Sequence, residues 1–283
     1  MSTQLEPIQK LTKDLREASI TLSIDEVRFL VDAYYTMQED RIRAFHQVRT
    51  LSEGNEPHAV VGWLGQQTES LENQIKRALH EYAKHDPIGE WMLGLTGIGP
   101  VLSAGFLAHI DITKAPTVGH IWRFAGLDPT VRWEKKTKRP WNARLKVICW
   151  KLGESFVKTS NNENSVYGPI YKQRKEQETE KNERGEFAEQ AAGILREKKI
   201  GEKTDAYKSY IQGKLPPAHI HARATRFAVK LFLAHFHLMA YFNHYGVLPP
   251  KPYAMEHLGH VHIMYPPNIE NMSELQKAID AEG

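Results

Sequence analysis

Thiol chemistry is nearly absent from this sequence. Cys149 is its only cysteine, so no intramolecular disulfide framework can form and no thiolate cluster can hold zinc. A reducing, cytoplasmic setting is the expectation. Long hydrophobic runs are also missing. None approaches the ~20 residues of a membrane span, and no N-terminal apolar stretch resembles a signal peptide, so no membrane partner is expected. Neither sign of charge dominates: 37 Lys and Arg against 34 Asp and Glu leave a net charge of +3. An argument for nucleic acid must therefore rest on where the charge sits. Strand-like alternation is no longer than Val261–Met264, so the chain reads as all-α. No Gly-x-Ser-x-Gly elbow occurs, and the acids are scattered over helices with none following an apolar strand. Cys149 lies within an apolar helix and reads as buried rather than reactive.

What is present begins with Leu93–Leu107, which reads as helix, two-glycine hairpin, helix. Gly97 and Gly99 are expected to adopt backbone angles that a side chain would forbid, and Pro100 opens the second helix. Such an N-terminus favours an anion through its orphan N–H groups and dipole. On these residues alone, a phosphate cradle and a packing corner are equally good readings.

The first helix is expected over about 23–48, with Ser23 and Glu26 forming a capping box and Ile24, Val27, Val31, Tyr34 and Tyr35 at helical spacing. After the polar break 52–57, a second helix runs to about Lys84. Its seam is read as Leu64, Thr68, Leu71, Ile75, Ala78 and Tyr82. Together they form either a hairpin packed on its own domain or a homodimerisation element through residues 23–84. A short helix covers 118–125 and ends at Gly126. Another covers 141–158 with Leu145, Ile148, Leu152 and Phe156 on its apolar face and Arg144, Lys151 and Lys158 as a basic stripe. Residues 171–203 carry both signs of charge and read as a solvated helical arm. A helix from about 219 to 245 is assigned Phe227, Leu231, Ala234, Leu238 and Phe242 as its core face, with Arg223, Arg226 and Lys230 beside it. Prolines 249, 250 and 252 break it, and a last short helix is capped by Ser273. The domain expectation is a helical hairpin over 1–85, a second domain over 86–248 with a charged insertion at about 165–215, and a Pro-rich tail over 249–283.

Between 131 and 151 the charge is lopsided. Arg132, Lys135, Lys136, Lys138, Arg139, Arg144, Lys146 and Lys151 face the single acid Glu134, with Trp133, Trp141 and Trp150 interleaved. Cations neutralise phosphates and aromatic faces stack on bases. Trp133 reads equally as stacking or packing, while Trp150, inside a helix, reads as a core anchor. The histidines at 257, 260 and 262, and the pair His219 and His221, match no recognised ligand spacing, so no metal is assigned.

Leu95-Thr96-Gly97-Ile98-Gly99-Pro100, followed by Phe124-Ala125-Gly126-Leu127-Asp128-Pro129, resembles the C-terminal transposase domain of the DEDD-type insertion-sequence transposases, which include the Piv/MooV DNA invertases. The likeness continues through the basic loop into Asn142–Lys146 and, loosely, into Ala224–Leu231. It implies a helix-hairpin-helix domain that holds DNA during strand exchange. Members carry a RuvC-like domain whose four acids bind magnesium, and a nucleophilic serine shortly after the Gly-Leu-x-Pro proline. This chain starts instead with a helical hairpin, and its stretch 130–136 has no serine, leaving Thr130 and Thr137 as weak stand-ins.

The resulting expectation is a transposase-type DNA-binding protein of a mobile element or phage without its own cleavage activity, with RNA as an alternative ligand. Thr96, Gly97, Ile98 and Gly99 would meet phosphate through the backbone. Arg132, Trp133, Lys135, Lys136, Lys138, Arg139, Arg144, Lys151, Arg223, Arg226 and Lys230 would supply the remaining contacts. No catalytic residue and no cofactor is assigned. The alternatives are an active recombinase subunit, which would need magnesium and a partner catalytic domain or guide RNA, and a helical scaffold in a larger assembly.

Overall fold

The computed structural model describes residues 10–54, 59–250, 264–269 and 273–282, and among them every regular element is a helix. The chain divides into two compact units, one made of Met1–Gly94 and Ile98–Asp111, the other of Leu95–Gly97 and Ile112–Gly283.

The first unit holds α1 (Lys13–Glu17), α2 (Ile24–Ser52), α3 (Ala59–His85), α4 (Pro87–Leu93) and α5 (Pro100–His109). The Ser23 hydroxyl accepts from the Glu26 N–H while the Glu26 carboxylate takes the Ser23 N–H, so the capping box closes in both directions. Arg41 pairs with Glu72, and Ala44 lies against Gly65; rising numbers in α2 thus meet falling numbers in α3, which makes the pair antiparallel. The seam differs from the expected one. Gly65, Thr68, Glu72, Ala78, Leu79 and Ala83 face inward, whereas Leu64 and Leu71 are exposed. Glu72 is the reason. Its carboxylate accepts from Arg41 Nε at 2.6 Å and from Gln38, so an acid occupies a core position that an apolar pattern assigns to a neighbour. Burial would raise the Glu72 pKa, and the Arg41 hydrogen bond and charge outweigh it and hold the carboxyl below its usual range. The helix α5, apolar on all sides, is buried along nearly its whole length, with Arg28 Nε donating to the Ala108 carbonyl near its end.

The second unit holds α6 (Val118–Phe124), α7 (Ala143–Lys158), α8 (Tyr167–Glu183), α9 (Ala188–Glu197), α10 (Asp205–Ile211), α11 (Pro217–Tyr245) and α12 (Ser273–Glu282). Asn142 caps α7 by accepting from the Arg144 and Leu145 N–H groups, and the expected face Leu145, Ile148, Leu152 and Phe156 is buried. In α11 the expected core face is rotated by about one residue. Ala224, Ala228, Val229, Phe232, Leu233 and Phe236 are buried with His235 and His237, while Phe227 is exposed. The histidines explain the shift: Tyr167 donates its hydroxyl to His235 Nδ1, whose Nε2 donates to the Met264 carbonyl, and His237 Nε2 donates to the Ala115 carbonyl. With those bonds, burial pushes the His235 pKa down to about 4, and the ring sits in the core as a neutral group.

The arm expected to be solvated is only partly so. Glu178 is 1 % exposed and holds Arg174 and Arg223, each at 2.5 Å, while Asn182 bonds both N–H and carbonyl of Leu215. Ser273 is the first residue of α12 rather than its cap. The histidines at 257, 260 and 262 lie outside the described residues.

Candidate nucleic-acid interface

The glycine hairpin divides the roles expected of it. Gly97 has φ +95°, the region that favours glycine, and a Cβ there would sit 3.0 Å from Thr159 Oγ1. Its carbonyl accepts from Ser155 Oγ at 2.5 Å, which ties this turn to α7. Gly99 departs from the expectation. With φ −104° and ψ 178° it is ordinary extended backbone, and a Cβ there would meet nothing within 4 Å. Pro100 does open α5, where its missing N–H costs nothing. Ile98 is buried, at 4 % exposure. Packing therefore accounts for Gly97 and Ile98.

The basic loop is a separate structure. The turn after α6 needs Gly126, which has φ +66° and whose Cβ would lie 2.9 Å from Trp141. Asp128 then accepts from both N–H and hydroxyl of Thr130, and those bonds hold its carboxyl below the usual range. A carboxylate held in its charged form this way is a weaker base than an ordinary one. Thr137 spends its hydroxyl proton on the Glu134 carbonyl.

Between these points Arg132, Lys135, Lys136, Lys138 and Arg139 are all exposed. Aromatic groups brace the loop from behind: Trp133 Nε1 donates to the Thr137 carbonyl, its ring meets Trp141 edge-on at 6.3 Å, and Arg139 lies over it at 5.5 Å. Lys136 adopts φ +72°, an uncommon backbone for a side-chain-bearing residue. That geometry turns the chain at the loop's most basic point.

Beside the loop, α6, α7 and α11 carry further cations. Lys146 Nζ sits 4.2 Å from the Trp141 ring and Lys230 Nζ 4.0 Å from the Trp122 ring, whose Nε1 donates to the Lys230 carbonyl. Desolvation lowers the pKa of Lys146, and the charges of Arg139 and Arg226 lower it further. Arg226 is lowered by desolvation and then by Arg223. Lys146, Arg139, Arg226 and Arg223 are thus close enough to act on one another, and this face gathers positive charge. Lys230 is lowered by desolvation with Asp128 opposing. Arg223 differs from its neighbours: it is committed to Glu178 and stacked on Phe187 at 4.6 Å. Arg144 and Lys158 are exposed and Lys151 half-buried along α7.

Two residues change standing. Trp150, expected in the core, is 61 % exposed, and Lys146, noted only as part of the charge run, sits at the centre of the cation group. Trp150 lies one position past the buried Ile148 and Cys149, a phase that the helical period of α7 does carry. Cys149 itself is 1 % exposed, and burial pushes its thiol up to about 12. His221 Nδ1 bonds the Tyr171 hydroxyl at 2.8 Å, and His219 lies 3.4 Å from the Tyr210 hydroxyl. Among the described residues no group of three or more His, Cys, Asp or Glu side chains is placed to hold a metal ion. No helix among the described residues is long and apolar enough to cross a membrane. Comparison with protein-family models, with curated proteins and with solved structures finds no match for this chain.

Proposed function

We propose that this chain binds nucleic acid, DNA in the first place, by its phosphate backbone, as the likeness to the C-terminal domain of DEDD-type transposases implies, and that it does so without cleaving it. The observation that carries the reading is the face of the second unit where Arg132, Lys135, Lys136, Lys138 and Arg139 stand exposed beside Lys146 and Arg226. Anions that settle there would meet seven cations, and backbone contacts of this kind carry little sequence information. The stretch 130–136, which has no serine where the transposase likeness places a nucleophile, supports binding over cutting. A gel-shift titration with a 30-base-pair duplex tests it. Replacing the five loop cations by glutamine should weaken binding at least tenfold, and unchanged affinity would refute the assignment.

A second reading concerns the first unit. At about 1.5 Å per residue, the 29-residue α2 is far longer than the 10-residue α5 packed on it. Ile42, Phe45, Val60, Trp63, Leu64 and Leu71 are exposed on the far half of the α2–α3 hairpin. A second copy of this hairpin is the occupant whose apolar stripe matches by symmetry, giving a homodimer through residues 23–84. Light scattering should report twice the 32.4 kDa chain mass, and a monomer at high micromolar concentration would end this reading.

A further inference from the structure

Between α7 and α11 the second unit has a half-open cavity of about 260 Å³, lined mainly by apolar groups that include Leu127, Cys149, Trp150 and Val229. It owes its shape to a close helix crossing. A Cβ on Gly153 would lie 2.5 Å from Thr225 Cγ2, so glycine lets α11 approach α7 there, beside the cavity that Thr225 and Trp150 line. Three features set this cavity apart from a packing defect. Its wall includes Trp150, a large aromatic left 61 % exposed beside an apolar hollow. Lys146 and Arg226, two neighbouring cations, also line it. Glu154, His221 and Thr225 contribute polar groups to an otherwise apolar lining. The Thr225 hydroxyl proton goes to the His221 carbonyl, which leaves its oxygen lone pairs as acceptors.

We infer that this cavity receives one unstacked nucleobase, with the Trp150 indole as its stacking platform and Lys146 and Arg226 holding the flanking phosphates. The volume sits just below the ~300–1,000 Å³ of ordinary small-molecule sites, enough for a single planar ring system and too little for a paired base step. A base in a duplex must leave its stack to enter, and that cost falls away for single-stranded or junction-like substrate. Every base has a π-face, so the site tolerates sequence and selects strand state. This inference rests on the nucleic-acid reading above and adds to it a preference for unpaired strands.

The test uses the full chain with a fluorescein-labelled 20-nucleotide DNA strand and, separately, its blunt duplex, followed by anisotropy at fixed salt. The expected result is tighter binding of the single strand, a loss of roughly 5- to 150-fold in single-strand affinity for Trp150→Ala, retention in Trp150→Phe, and little change for the duplex with either variant. Trp150 is exposed, so its replacement leaves the core packing of α7 in place, and circular dichroism with thermal melting verifies the fold. Equal affinity for both strand states, or a Trp150→Ala loss shared equally by the duplex, overturns the base pocket while leaving backbone binding standing. No binding of either probe overturns both.

Discussion

Replacing the two hairpin glycines one at a time separates packing from ligand grip. At Gly97 an alanine must adopt φ +95°, and its Cβ must share space with Thr159 Oγ1 at 3.0 Å and Ser155 Oγ at 3.4 Å. A residue held in that region costs about 1–3 kcal/mol. In a body of this size each kcal/mol shifts the melting temperature by about 2–4 °C, so Gly97→Ala should melt roughly 2–12 °C below the parent. At Gly99 the backbone is extended and a Cβ meets open space. Alanine there loses some N-cap preference, by up to ~1 kcal/mol, and regains about 0.4–1 kcal/mol through the unfolded chain. Gly99→Ala should thus melt within a few degrees of the parent and keep its affinity for DNA. Differential scanning calorimetry and a binding titration on the two variants make the comparison. Equal melting temperatures for both variants would refute the packing role of Gly97. A large loss of affinity in a stable Gly99→Ala would return the phosphate grip to the start of α5.

The remaining outcomes concern charge and acid. His235 has its folded pKa depressed by burial to about 4 from an ordinary value near 6.5, so it favours the folded state above pH 6.5, and that contribution is lost as pH falls through about 4. Melting followed between pH 7 and 4 should show stability dropping by up to about 1.4 kcal/mol per pH unit from this group, and His235→Gln should flatten the slope; an unchanged slope would contradict the buried neutral ring. Arg223 and Arg226, three residues apart on α11, should separate cleanly. Arg223→Gln strips one of two partners from the buried Glu178 and should destabilise by about 1–3 kcal/mol. Arg226→Gln should leave stability unchanged or raised and weaken DNA binding several-fold, as should Lys146→Gln. Matching effects of the two arginine variants on melting would contradict this division.

Much of the architecture was legible because it is local. The Ser23–Glu26 box, the Asn142 cap, the glycine at 126 and the four apolar positions of α7 depend on neighbours within one or two turns. Reading failed where a polar residue belongs inside. Glu72, His235 and His237 count as outward-facing in any apolar pattern, yet each finds a partner 31, 68 or 122 residues away that removes the penalty of burial. With these polar residues inside, the buried faces of α3 and α11 lie about one position from the expected ones. The candidate site was half legible. The loop cations stand out as a run, whereas the commitment of Arg223 to Glu178 and the cavity beside Trp150 arise from helix packing and leave no local signal.

The salt dependence of DNA binding tests the central claim most directly, since phosphate neutralisation releases counterions in proportion to the contacts made. If the five exposed loop cations together with Lys146 and Arg226 each meet a phosphate, log affinity for a duplex against log salt should fall with a slope of about −6. With the loop cations replaced by glutamine it should flatten to about −2. A slope near zero for the parent chain, or the same slope for both proteins, would contradict the assignment of this face to nucleic acid.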